Sequence, residues 1–205
     1  MQNAEIELKF PVSDPAALQS LLPQLGFHLD TPRTFEQNTL YDTPARDLRS
    51  RTEILRIRQY GPIWTVTHKR TARPSDIAEP SRYKVRIETE TAVADGPALG
   101  QIFESLGYKP AFAYEKYRTE WSAIDSATNS IPHLVIDETP IGTYAELEGP
   151  TAWIDRMLAE LQIDTSTCLT DSYGKLFLDW KQRTGSTAEN LTFAEIASHD
   201  LVAAH

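Results

Sequence analysis

Glu5-Ile6-Glu7-Leu8-Lys9 opens the chain with charged and apolar side chains in strict alternation. In a β-strand successive side chains point to opposite faces, so Glu5, Glu7 and Lys9 share one face while Ile6 and Leu8 share the other. The same period of two returns at Leu55-Arg56-Ile57-Arg58, across 82–90, at Glu115-Lys116-Tyr117-Arg118 and at Glu146-Leu147-Glu148. The charged faces carry both signs. Lys9, Arg56, Arg58, Lys69, Arg86, Lys116 and Arg118 stand against Glu5, Glu7, Glu88, Glu90, Asp137, Glu146 and Glu148. One such strand is ordinarily the solvated face of a half-buried sheet. Repeated along the chain, with apolar opposite faces that must be buried, the pattern predicts a sheet whose charges line a polar tunnel. The Glu-x-Glu pairs at 5/7 and 146/148 become neighbours if the first and last strands meet.

Working outward, residues 4–12 read as a strand, and Ser13-Asp14-Pro15 starts a short helix, Ala16 to Leu25, that Gly26 stops. Residues 33–42 read as a strand and Pro44 to Ser50 as a polar connection. A hairpin over 53–60 and 63–71 turns at Gly61-Pro62. Residues 72–80 read as a loop and 82–92 as a strand. A helix runs from Pro97 to Leu106, and strands follow at 111–121, 132–138 and 143–148. Helices are predicted over Thr151 to Leu161 and Leu169 to Arg183. Seven or eight antiparallel strands with few helices predict an α+β fold whose sheet is closed or nearly closed. One domain over 1–183 is expected, followed by a tail over 184–205 with helical spacing near 193–202.

The 205 residues suffice for one domain with a real core. A net charge of −9 argues against nucleic-acid binding by global charge but leaves room for a local basic cavity. The single cysteine, Cys168, excludes an internal disulfide and a Cys-rich zinc site, and reads as a small half-buried hydrophobe. No apolar run has membrane-spanning length, and the N-terminus carries no visible secretory pattern, so a cytoplasmic protein without membrane or nucleic-acid partners, monomer or homodimer, is expected.

Clustered carboxylates without His or Cys suit a hard cation such as Mg²⁺ or Mn²⁺, which takes one or two carboxylates together with substrate phosphates. Paired guanidinium forks on one strand suit phosphate oxygens. Phosphoryl or nucleotidyl transfer on a polyphosphate is the chemistry implied.

Glu5-x-Glu7-x-Lys9 resembles the signature of the CYTH superfamily, the triphosphate tunnel metalloenzymes. The resemblance continues in order through Tyr41-Asp42-Thr43-Pro44, Leu55-Arg56-Ile57-Arg58, Trp64 through Lys69, and Arg86-x-Glu88-x-Glu90. It then takes in Glu115 to Arg118, Asp137, Glu146-Leu147-Glu148-Gly149 and Ser172-Tyr173-Gly174-Lys175-Leu176. It implies a closed eight-stranded antiparallel β-barrel with helices packed outside. It implies that Glu5, Glu7, Asp137, Glu146 and Glu148 hold one or two Mg²⁺ or Mn²⁺ ions. Lys9, Arg56, Arg58, Lys69, Arg86 and Arg118 would bind a small triphosphate. Lys175 would either reach the tunnel mouth or be a solvated helix lysine. Glu88, Glu90 and Lys116 form the candidate catalytic set, with Glu88 and Glu90 binding a second metal, positioning water, or pairing with Arg86 and Lys116. His68 reads as a surface or packing residue, and Tyr173 as core or substrate-lining.

Two reactions share such a site. Water attacking the terminal phosphorus makes a triphosphatase of inorganic tripolyphosphate, thiamine triphosphate or a nucleoside triphosphate. A ribose 3′-hydroxyl attacking the α-phosphorus makes an adenylate cyclase. A noncatalytic polyphosphate or nucleotide binder is the third reading. Hydrolysis asks least of the site and is the expected activity.

Overall fold

The computed structural model describes residues 3–71, 84–125 and 130–197, and the backbone alone of residues 3–5, 84 and 85. The expected loop over 72–80, Arg82, and the end of the tail helix lie outside the described residues.

Eight antiparallel strands carry the fold: β1 (Asn3–Pro11), β2 (His28–Asp42), β3 (Ile54–Tyr60), β4 (Ile63–Thr71), β5 (Lys84–Val93), β6 (Lys109–Ser122), β7 (His133–Thr139) and β8 (Gly142–Glu148). The sheet curls on itself in the order β1-β5-β4-β3-β2-β6-β7-β8, with β8 paired back onto β1. The register of that last pair sets Glu7 opposite Glu148 and Lys9 opposite Glu146. The two Glu-x-Glu runs therefore meet, as the first and last strands do.

The outward faces are apolar and the helices cover them. Leu8 and Phe10 of β1, Leu134 and Ile136 of β7, and Ala145 and Leu147 of β8 join one core. Trp153, Ile154, Met157 and Leu158 of α4 (Thr151–Glu160) pack into it, as do residues of α1 (Pro15–Leu21) and the 3₁₀ turn after it. The Asp14 carboxylate caps α1 by accepting from the Ala17 amide at 2.9 Å, and Gly26, at φ +81°, ends the turn in the left-handed region. α3 (Gly96–Ser105) lies on β3 and β4 so closely that a Cβ at Gly96 would fall 2.1 Å from the Trp64 ring. No helix among the described residues is long and apolar enough to cross a membrane.

The structure departs from the sequence reading in four places. β2 begins at His28 rather than at residue 33, its register against β6 shifting on either side of Thr31 where Pro32 lies. The connection after β2 holds a one-turn helix, α2 (Asp47–Ser50), organised by the Asp42 carboxylate. That group accepts from the amides of Thr43, Leu48 and Arg49 at 2.7, 2.9 and 3.0 Å. The last helix, α5 (Tyr173–Thr184), starts four residues later than its apolar spacing suggests, because Leu169 pairs its backbone with Lys9 and Ser172 caps the helix. Fourth, the described part of the tail, up to residue 197, docks onto the sheet. β7 pairs with β6 only from Tyr117 to Ser122, which leaves the edge at Ala113 to Glu115 open. Leu191 fills it: its amide donates to Ala113 and its carbonyl accepts from Glu115. Leu191 and Ile196 are buried in a second core with Tyr114, Tyr173 and Phe177. Truncation after Gly185 is expected to lower the unfolding free energy by about 2 kcal/mol or more, from the loss of two buried apolar side chains. Thermal or urea melts that match the full chain would refute this docking.

Candidate functional site

The inward faces surround one cavity of about 550 Å³. β1 contributes Glu7 and Lys9, β3 Arg56 and Arg58, and β4 Lys69. β5 contributes Arg86, Glu88 and Glu90, β6 Lys116 and Arg118, and β8 Glu146 and Glu148. Twelve of the residues singled out in the sequence thus line the same space. Alternation on the strands is the local cause, since each pair two residues apart lands on one face.

Three of the residues named in advance stand differently. Glu5 lies on β1 opposite Arg86, but its side chain is outside the described residues. Lys175 does not line the cavity. It pairs with Asp179 one turn along α5, and both are half exposed, which matches the solvated-lysine alternative. Asp137 does not line the cavity either, and it is not placed as an open metal ligand. It is fully buried, and both its oxygens are taken: Arg118 reaches them at 2.7 and 2.6 Å, Lys116 at 2.9 Å, and the Tyr173 hydroxyl donates at 2.7 Å. Asp137 anchors cations from behind the wall.

Carboxylates hold the cations that face the cavity. Lys9 meets Glu146 at 2.5 Å and Lys69 meets Glu88 at 2.7 Å. Glu90 spans Arg58 at 3.2 Å and Arg56 at 3.4 Å, and accepts from the Thr67 hydroxyl at 2.5 Å. Glu88 and Glu90 therefore pair with Lys69, Arg56 and Arg58; pairing with Arg86 and Lys116 was one of the alternatives the sequence left open. Burial alone would raise the Glu146 carboxyl, but Lys9, Arg118 and Lys116 hold it well below the usual carboxylate range. Burial pushes the Tyr173 hydroxyl well up, and Asp137 and Glu146 add to it. Tyr173 thus stays a neutral wall residue, its ring 4.2 Å from the Lys9 ammonium and 4.9 Å from that of Lys116. His68 is half exposed and sits 3.5 Å from Glu53, and it does not line the cavity.

The sequence reading missed Glu36, Tyr114, Glu120, His133 and Asp30. Glu120 continues the alternation of Lys116 and Arg118, and His133 that of Val135 and Asp137, so the period of two could have found both. Glu36 stands among uncharged neighbours from Thr34 to Tyr41 of β2, with no repeat to mark it. It is fully buried between Lys116, Arg118, Arg56 and Arg58. Burial favours its neutral form, but those four cations win and pull its pKa down to about 2 from an ordinary 4.5. A depressed carboxyl adds stability above its unfolded pKa and loses it as pH falls through the folded one. Stability is therefore expected to fall by on the order of 3 kcal/mol between about pH 4.5 and 2 through this group. Urea titrations of wild type and Glu36→Gln across that range check it: equal slopes would remove Glu36 as the cause.

Among the described residues no three acidic, imidazole or thiol groups converge as a ready metal centre. Glu7 and Glu148, directly opposed across β1 and β8 and both facing the cavity, offer the paired oxygen donors that a hard cation shares with phosphates. In donor chemistry they fit Mg²⁺ or Mn²⁺.

Residues 3–157 match the family model described as the CYTH domain. A "Putative adenylate cyclase" of Methanocaldococcus jannaschii is 29% identical over 160 residues, covering 77% of this chain and 85% of the relative. Among solved structures, a "putative adenylate cyclase" of Vibrio parahaemolyticus superposes with a TM-score of 0.67 at 20% identity, over 85% of this chain and 97% of that one. A "putative adenylyl cyclase" from Hippeastrum, reported to have a dominant triphosphatase activity, superposes at 0.57 and 21% identity, over 87% and 96%. Both structures share the fold. With the family match spanning most of its length, the chain belongs to the CYTH domain family.

Proposed function

We propose that this chain is a metal-dependent hydrolase of a small triphosphate, with inorganic tripolyphosphate, thiamine triphosphate or a nucleoside triphosphate as substrate. The observation that carries the reading is the convergence of Lys9, Arg56, Arg58, Lys69, Arg86, Lys116 and Arg118 on one cavity beside the Glu7–Glu148 pair. The order of strand pairing, closed from β8 to β1, supports a continuous tunnel around the substrate. The Arg56 and Arg58 forks, with Lys69 and Arg118, bind the phosphate oxygens. Glu88 and Glu90 orient Lys69, Arg56 and Arg58 before substrate arrives, and Asp137 orients Arg118. Glu7 and Glu148, with Glu5 two residues before Glu7, would hold Mg²⁺ or Mn²⁺. When bound, such an ion neutralises phosphate charge and activates an oxygen nucleophile. Water attacks the terminal phosphorus, the bond to the bridging oxygen breaks, and the facing cations stabilise the charge that develops on the leaving phosphate.

A second reading is a class IV adenylate cyclase releasing pyrophosphate. It is favoured by the name of the Methanocaldococcus relative, while the triphosphatase activity reported for the Hippeastrum protein favours hydrolysis. Turnover of tripolyphosphate, thiamine triphosphate and ATP, each with Mg²⁺ and with Mn²⁺, separates them. Orthophosphate release is expected. Cyclic AMP with pyrophosphate would select the cyclase. Tight metal-independent binding without turnover would leave a binding protein.

A further inference from the structure

Among the described residues Glu36 differs from the other acids of the wall. One oxygen accepts from the Asn38 amide at 2.8 Å and lies 3.4 Å from the Lys116 ammonium. The other, Oε2, is buried with no hydrogen bond, and its nearest cations are Arg118 at 3.8 Å and Arg58 at 4.0 Å. Asp137, equally buried, takes short bonds at both oxygens. A carboxylate acting only as an anchor would be expected to bond as Asp137 does, because an ionised group is costly to bury without close partners. Lys116 and Arg118 are already held by Asp137, and Arg58 by Glu90, so Glu36 is not needed to keep these side chains in place. What it adds is a fixed negative charge behind the cations that face the cavity. Such a charge weakens the field felt by substrate and product phosphates alike. An enzyme gains from that, since uniformly tight binding lowers KM and retains product without speeding the reaction.

Resting on the reading of the cavity as a polyphosphate site, we propose that Glu36 is a positioning residue that serves as an internal counter-ion. Acting through Arg58, Lys116 and Arg118, it limits how tightly the tunnel holds polyphosphate and so lets products leave.

The test is a calorimetric titration of wild type, Glu36→Gln and Glu36→Asp with inorganic tripolyphosphate in EDTA, together with KM and kcat in Mg²⁺. Glu36→Gln is expected to bind tripolyphosphate about tenfold more tightly, the scale of one unit charge across a part-hydrated cavity. Its KM and kcat fall together as release slows, whereas structural damage would raise KM. Glu36→Asp, which keeps the charge, stays near wild type. A folded Glu36→Gln that binds tripolyphosphate no more tightly than wild type overturns the proposal. Wild type that binds no tripolyphosphate in EDTA and turns none over in Mg²⁺ overturns the polyphosphate reading and takes this inference with it; wild type that turns it over in Mg²⁺ but does not bind it in EDTA overturns the counter-ion proposal alone. Should Glu36→Gln not fold, Glu36→Met, similar in length and uncharged, gives the same readout. If neither folds, Glu36 serves stability and the proposal falls.

Discussion

Glu148→Gln lowers triphosphate turnover about 100-fold at saturating Mg²⁺ and moves the metal requirement to higher concentration. The substitution keeps size and shape and removes one charge from the pair that Glu148 forms with Glu7 across β1 and β8. Lys9 and Arg118 keep their partner Glu146, and the outward core of Leu8, Leu134 and Leu147 is untouched, so the melting temperature stays near wild type. The loss belongs to metal affinity and to charge neutralisation on the phosphates rather than to the fold. Steady-state kinetics across a Mg²⁺ series, with melts of the same preparation, provide the check. Wild-type rates at both limiting and saturating Mg²⁺ would remove Glu148 from the metal site.

Asp137→Ala destabilises the protein by about 3–5 kcal/mol. Asp137 is fully buried and is shared by Lys116, Arg118 and the Tyr173 hydroxyl. Its removal leaves two buried cations facing each other, with Glu36 and Glu146 as the remaining counter-charges. Arg118 also loses its two-pronged anchor, so KM for triphosphate rises in whatever fraction folds. Asp137→Asn, which retains hydrogen-bonding capacity, is expected to lose less stability than the alanine variant. Urea unfolding measures both, and an alanine variant that unfolds with wild type would show that the buried cluster contributes nothing net.

The strands and their inward charges were legible because one physical rule, alternation at period two, governs both the fold and the site. Arg56 and Arg58, Glu88 and Glu90, and Glu146 and Glu148 each announce a face. What alternation does not encode is partner choice. Glu88 reaching Lys69 and Glu90 reaching Arg56 and Arg58 follow from the β4–β5 and β3–β4 registers, which only the folded sheet fixes. Nor does it separate residues on the cavity surface from those behind it. Asp137 and Glu148 look alike as inward acids, yet one is sealed by Lys116, Arg118 and Tyr173 while the other faces the cavity. Glu36 escaped notice because the next residue on its face of the strand is the uncharged Asn38, so it forms no charged repeat. The docking of the tail escaped because helical spacing does not say what an apolar face packs against, and the edge of β6 that receives Leu191 is a property of the whole sheet.

The most direct measurement is the structure of the protein with inorganic tripolyphosphate and Mn²⁺. The tunnel reading predicts the anion on Arg56, Arg58, Lys69 and Arg118, with the metal on Glu7 and Glu148. An anion bound elsewhere, or a cavity that stays empty at saturating tripolyphosphate, would contradict it.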